Sequence, residues 1–186
     1  LRGPQGTLFG RNTSGGALSI VTRRPTGSLE GDFRAGFGNY GSWGNEVHLN
    51  LPEVAGIATK IDYVNQYQDA TIENPQEGQE GWNFFDRNGL RFSAEWQNDT
   101  LLAYYSYDRG TDMNTPFYSQ LLNFDPNNNG LTPLPDFIVV EGDDRMDAAD
   151  IGVPQQASSN ETSGHTLQLT WSTHWFDVKS ITGYRD

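Results

Sequence analysis

Residues 1–24 read LRGPQGTLFGRNTSGGALSIVTRR, and how this stretch is understood decides the fold. Glycines at 3, 6, 10, 15 and 16, followed by Gly27, punctuate a segment whose one continuous run is Ala17-Leu18-Ser19-Ile20-Val21. Glycine at that density supplies tight turns and close backbone approach rather than helix. The β-branched run after Gly15-Gly16, stopped by Pro25, predicts a short buried strand. A phosphate loop fails on its cation, because no Gly-Lys-Ser/Thr occurs and the only lysines are Lys60 and Lys179. A Gly-rich hairpin in a soluble β protein is the plainer alternative, but turn chemistry alone does not dictate so many fixed spacings.

The spacing R-G-P-x-G-x-L-[YF]-G-x-x-x-x-G-G-x-[IL]-x-[IV]-x-T resembles the end of the plug domain of TonB-dependent outer-membrane receptors. Arg2-Gly3-Pro4, Gly6, Leu8-Phe9-Gly10, Gly15-Gly16 and Ile20-Val21-Thr22 stand where that pattern wants them. The match covers about the first eighth of the chain directly. The resemblance implies a plug filling a barrel of about twenty-two strands in the Gram-negative outer membrane, the size class whose lumen is plugged. It also implies a scarce ligand, such as a siderophore-iron complex, cobalamin or a carbohydrate, bound by outer loops and the plug apex. The TonB-ExbB-ExbD complex would then drive its import through a segment near the plug's N-terminus. Neither an enzymatic activity nor a cofactor is implied. The ending Ser180-Ile181-Thr182-Gly183-Tyr184-Arg185 resembles a run common in the same family.

Composition agrees with a one-sided sheet. The chain has 186 residues, a formal net charge of −12, 35% hydrophobic residues and no cysteine. So little apolar material, spread in alternation, is poor stock for a two-sided core and good stock for a sheet with one apolar face. The absence of cysteine excludes a disulfide scaffold and a thiolate metal site. The acidic balance argues against a nucleic-acid partner. No run of eighteen apolar residues exists, so no membrane helix is expected. The chain starts in mid-motif and stops just after a strand-like run, and it reads as a fragment.

Beyond Gly27 the period becomes two. Leu29, Gly31, Phe33, Ala35 and Phe37 oppose Glu30, Asp32 and Arg34; Val47, Leu49 and Leu51 oppose Glu46, His48 and Asn50. Similar runs follow at Ile57–Tyr63, Leu90–Trp96, Leu101–Tyr107, Leu167–Trp171 and Trp175–Tyr184. This predicts an all-β chain of about seven antiparallel strands, one end of a transmembrane barrel. Residues 1–27 are assigned to the plug and 28–186 to the barrel, with long outer loops at about 70–86 and 110–164. Tight connections at Pro52–Gly56, Asn98–Thr100 and Ser172–His174 alternate with longer ones, as short periplasmic turns alternate with outer loops. Trp43, Trp96, Tyr105, Tyr107, Trp171 and Trp175 lie near strand ends, where an interfacial aromatic girdle belongs. A soluble all-β carbohydrate-binding module is the competing architecture.

Candidate sites follow from position and charge. Leu1 to Gly27 carries four arginines and no acid. Arg2 and Arg11 are therefore expected to contact barrel carboxylates such as Glu30, Asp32, Glu46 and Glu95, alongside the plug motif Arg2, Gly3, Pro4, Gly6, Gly10, Gly15 and Gly16. Trp82, Phe84 and Phe85 form an aromatic cluster suited to stacking on a ligand ring, or to packing the loop on itself. Asp125, Asn127, Asn129 and Asp136 nearly copy a calcium loop, with Gly130 at its turn. An Asn-rich turn accounts for the same letters, and Pro133 and Pro135 interrupt the loop. His48, His165 and His174 form no ligand pair by spacing, and no carboxylate stands beside a nucleophile or base.

Overall fold

The computed structural model describes residues 3, 6–9, 15–16, 20–120, 145–152 and 155–186. After one helical turn, α1 (Gly6–Phe9), the described chain is all β. Its strands are β1 (Glu30–Phe37), β2 (Trp43–Val54), β3 (Ile57–Gln68), β4 (Phe85–Gln97), β5 (Leu101–Asn114), β6 (Ser158–Ser172) and β7 (Asp177–Arg185). They form a single sheet in sequence order, each pair antiparallel. The sheet is an open meander with β1 and β7 at its edges.

Two neighbouring rows across the sheet state its design. One runs Gly31, Leu49, Ile61, Phe92, Tyr107, His165, Tyr184. The next, displaced by one residue on every strand, runs Asp32, His48, Asp62, Arg91, Asp108, Gly164, Arg185. Because side chains alternate across a strand, these rows lie on opposite faces. One face is apolar and the other charged over seven strands. The apolar face is left open, with Phe33 68% exposed and Leu90, Leu167, Leu169, Trp171 and Val178 also exposed. A soluble sheet would cover that face. A barrel wall turns it to lipid and keeps the charges inside.

The apolar band crosses the sheet obliquely. It centres near Phe33 on β1, in the row that reaches β5 at Arg109, whereas the β5 band from Leu101 to Tyr107 centres at Tyr104. The β7 band, Val178 to Tyr184, centres on Ile181, which shares Gln168 as partner with Tyr104. Five residues of drift, roughly 16 Å, over six strand spacings, roughly 29 Å, correspond to a tilt of about 30°. This approaches the roughly 35–45° of membrane barrels.

Turn geometry follows residue chemistry. β2 and β3 are joined by Ala55-Gly56, both at positive φ (53° and 79°), the backbone of a two-residue hairpin of type I′. Pro52, which has no N–H, sits where the register shifts between Leu51 and Val54, so it interrupts no ladder bond. At the opposite end, Gly38 N–H donates to the Ser42 carbonyl at 2.9 Å, closing the β1–β2 turn. At the β4–β5 turn the Asn98 side chain accepts from the N–H groups of Thr100 and Leu101 at 2.9 and 2.8 Å.

Two expectations shift. Of the expected strand, residues 17–19 lie outside the described residues, and Ile20 and Val21 are 80% and 87% exposed and lie in no strand. Strands β5 and β6 also run further than their alternation shows, so the long connection shortens to 115–157. Thr111–Asn114 pairs with Ser158–Glu161, and apart from Met113 both faces there are polar. On the face that carries the apolar band below, Asn88 donates to Thr111 at 2.5 Å and Arg109 pairs with Glu161. On the other face Arg87 pairs with Asp112 at 2.7 Å. With both faces polar, the strands continue there without a period of two in the sequence.

Candidate functional site

The strap of residues 22–27 crosses the charged face at its short-turn end. Arg24 places Nη1 2.8 Å from Glu95 Oε2, and its guanidinium lies 3.9 Å over the Tyr104 ring. A flat, weakly hydrated cation suits both contacts, since it stacks and forms a charge-assisted bond together. Glu95 and Tyr104 face each other across β4 and β5. Tyr104 is buried, and its hydroxyl donates to the fully buried Ser93 at 3.3 Å, with Thr22 beside it. The platform under Arg24 is therefore tied down by a hydrogen bond of its own.

Further contacts continue the fastening. Pro25 is buried. Thr26 N–H donates to Asn50 Oδ1 at 3.1 Å, and Glu53 N–H donates to the Gly27 carbonyl at 2.8 Å. Gly27 adopts φ 73°, which favours glycine, and a Cβ there would meet the Glu53 side chain at 3.4 Å. Beside the strap lies a pocket of about 570 Å³ lined by Arg23, Arg34, Lys60, Arg91, Glu30 and Asp32, among others. Several of its charges are paired, along one strand or between neighbouring strands. Lys60, with only 9% of its side chain exposed, binds Asp62 at 2.7 Å, and His48 Nδ1 lies 2.7 Å from the same carboxylate. Arg34 meets Asp32 at 3.1 Å and Glu46 at 3.8 Å.

At the far end, the outer connections fold onto one another. Ile72, Trp82 and Ala149 form a buried cluster, with Tyr118 and Met146 packed against it. Ile72 bridges Trp82, and Glu73 pairs in parallel with Ala148, so residues 70–84 and 145–150 share backbone hydrogen bonds. Thr115 Oγ1 accepts from Phe84 N–H at 3.0 Å and donates to the Gly81 carbonyl at 2.7 Å. Gly81 packs too closely for any side chain, since a Cβ there would meet the Ile72 carbonyl at 2.5 Å.

Against the sequence expectations, the site residues distribute as follows. Glu95 takes a strap arginine, but the arginine is Arg24; Arg2 and Arg11 lie outside the described residues. Glu30 and Asp32 line the strap pocket, while Glu46 pairs within the sheet with Arg34. In the plug motif, Gly3, Gly6, Gly15 and Gly16 are described, and Arg2, Pro4 and Gly10 are not. Trp82 and Phe84 are buried at 4% and 7% exposure, their rings taken up by Tyr118 and Tyr67. Phe85 lies under the Arg87 guanidinium, 4.7 Å from its ring centre. Asp125, Asn127, Asn129 and Asp136 fall outside the described residues, and no cluster of three or more potential metal ligands occurs among those described. Arg24 is one of the four arginines of Leu1 to Gly27, but the sequence carries no signal for its partner, because Tyr104 belongs to the polar face and reads there as one more strand aromatic.

The chain is 32% identical over 94 residues to the pesticin receptors of Yersinia enterocolitica and Yersinia pestis. That stretch is half of this chain and 13% of each receptor, so the chain spans a small part of the relatives it matches. No family model and no solved structure matches it.

Proposed function

We propose that this chain belongs with the TonB-dependent receptors of the Gram-negative outer membrane, as its likeness to the pesticin receptors supports, and that it forms the start of the barrel wall and the end of the plug in a receptor for active uptake. The observation that carries this reading is the pair of adjacent rows, apolar through Leu49, Ile61 and Phe92 and charged through His48, Asp62 and Arg91. A soluble carbohydrate-binding module would have to cover the apolar face, and the described residues leave it open at Phe33, Tyr63 and Leu90.

In this reading residues 1–27 are the plug's last segment, lying on the inner wall, and Arg24 with Glu95 is a contact between plug and barrel. Arg2 and Arg11 supply further plug cations. The outer-loop unit around Trp82 forms part of the external face that meets the ligand, with Trp82 and Phe84 serving as its packing rather than as open stacking surfaces. The relatives are named for pesticin; the ligand proposed here is a scarce solute such as a ferric siderophore, cobalamin or an oligosaccharide. The TonB-ExbB-ExbD complex supplies the work, and no chemical step falls to this chain.

The test is uptake by cells bearing the full-length receptor, supplied in turn with radiolabelled ferric siderophores, cobalamin and maltodextrins. Accumulation of one of these should require both TonB and an intact proton-motive force. Accumulation that persists after either is removed would overturn the reading.

A further inference from the structure

We propose that Arg24 is a positioning residue: a clamp that stops the plug's force-driven motion at residue 24 and keeps residues 24–27 on the barrel wall. This rests on the receptor reading above and adds to it a fixed boundary between what moves and what stays.

The contacts change character at this residue. On its N-terminal side, Ile20 and Val21 are exposed and lie in no strand. From Arg24 onward, successive residues are fastened to three different strands. Arg24 reaches Glu95 on β4 and Tyr104 on β5, Thr26 reaches Asn50 on β2, and Gly27 accepts from Glu53 on β2. Pro25, buried between them, has a fixed φ and gives up no donor by its burial. Among described residues 20–27, tension drawn along the chain from the N-terminal side passes the Thr22 hydroxyl beside Tyr104 and then reaches the Arg24 contacts. It meets them as an ion pair and a ring stack loaded together, so neither peels away ahead of the other.

Glu95 and Tyr104 are suited to carry load. They are cross-strand partners in the register of β4 and β5, and the Tyr104 hydroxyl is tied to Ser93, itself wholly buried. A pull on Arg24 is thus passed into the ladder of two long central strands rather than into a loop. Arginine fits this place better than lysine, because an ammonium keeps the charge but gives up the flat face over the ring.

The experiment is single-molecule pulling on the full-length receptor in lipid, gripped through a bound TonB C-terminal fragment. The lifetime of the last resisting contact is read at constant load. R24A should shorten it about tenfold, as expected for losing a part-buried charge-assisted contact with its stacking, and E95Q, which keeps the stacking, should shorten it by less. R24K should fall between, and the exchanged pair R24E/E95R should restore much of the lifetime. Circular dichroism and heat resistance of the barrel report whether each variant is folded, and Y104F, which keeps the ring, gives a second variant that should retain most of the lifetime. A last event whose lifetime is the same in R24A as in the unchanged receptor overturns the clamp while leaving the receptor reading intact. A full-length protein that the TonB fragment does not hold at all overturns both.

Discussion

The indole nitrogen of Trp82 donates to the carbonyl of Ala149 at 3.3 Å, joining two outer connections that are 67 residues apart in sequence. Both residues are buried, and Tyr118 tilts against the indole with ring centres 5.4 Å apart. Three loop segments thereby share one small core above the barrel wall. Each is too short to bury apolar surface alone, and each completes the others.

Replacing Trp82 by alanine should open this unit as a whole. A buried tryptophan cut to alanine costs about 3–5 kcal/mol, and the loss here falls on the loops rather than the ladder. Limited proteolysis of the full-length receptor should show faster cleavage in 145–152 as well as in 70–84. Phe85→Ala, whose ring lies under Arg87 and outside the Trp82 cluster, should leave 145–152 as protected as before. Equal protection of 145–152 in the Trp82 variant would mean that the two loops are not coupled through this core.

The chain shows which of its features a sequence can reveal. The seven strands were legible because each has one apolar face, and alternation survives wherever lipid is on one side and charge on the other. The strand ends at Thr111–Asn114 and Ser158–Glu161 were not, because above the apolar band both faces are wet and the period disappears. Pro52 read as a break, yet the strand passes through it at a register shift. The aromatic cluster at Trp82 and Phe84 was visible; its burial was not, since the partners that cover it lie in Ala149 and Tyr118, far along the chain. Arg24 stood among four cations, and only the register that sets Glu95 opposite Tyr104 singles it out.

Asp150 gives the loop unit a dependence on acid. It accepts from Gly152 N–H and from Gln76 Nε2, each at 2.8 Å, and those bonds hold its carboxyl below the usual aspartate range. A depressed folded-state value means that the link is intact above the ordinary range and is lost as pH falls through the lowered one. Amide exchange at Gly152 should therefore remain slow through mildly acidic solution, once the intrinsic effect of pH is removed, and rise only below the ordinary carboxylate range. Asp150→Asn should flatten that rise. The same profile in both proteins would show that Asp150 does not hold the turn.

The Ala55-Gly56 hairpin carries a correctable strain. Ala55 sits at φ 53°, where a side chain is costly by about 1–2 kcal/mol, although glycine also loses more freedom on folding, by about 0.5–1 kcal/mol. Ala55→Gly should therefore raise stability slightly, by up to about 1 kcal/mol. Gly56→Ala should lower it by up to about 1 kcal/mol, because at φ 79° the cost of a side chain outweighs the entropy that alanine saves. Urea unfolding of the full-length receptor in lipid vesicles would register both signs. A gain in stability from Gly56→Ala would place this turn in a different conformation.

Leu167 and Thr166 decide which face meets the membrane. They are neighbours on β6, and Leu167, which is exposed, lies opposite Tyr105 in the apolar rows, whereas Thr166 lies opposite Ser106 on the charged face. An arginine on the lipid side near the bilayer midplane costs roughly 2–4 kcal/mol, while lumen positions tolerate charge. Leu167→Arg should thus lower unfolding stability in vesicles by about that amount, and Thr166→Arg by much less. The contrast isolates the environment, because the two sites share one strand, one depth and one substituted charge. In a soluble sheet that buried its apolar face against protein, Leu167→Arg would still be costly, but the cost would persist in detergent-free buffer. In the receptor, a folded detergent-free state should not form at all. A soluble, cooperatively folding full-length protein in which these two substitutions cost the same would remove lipid from the account of this sheet.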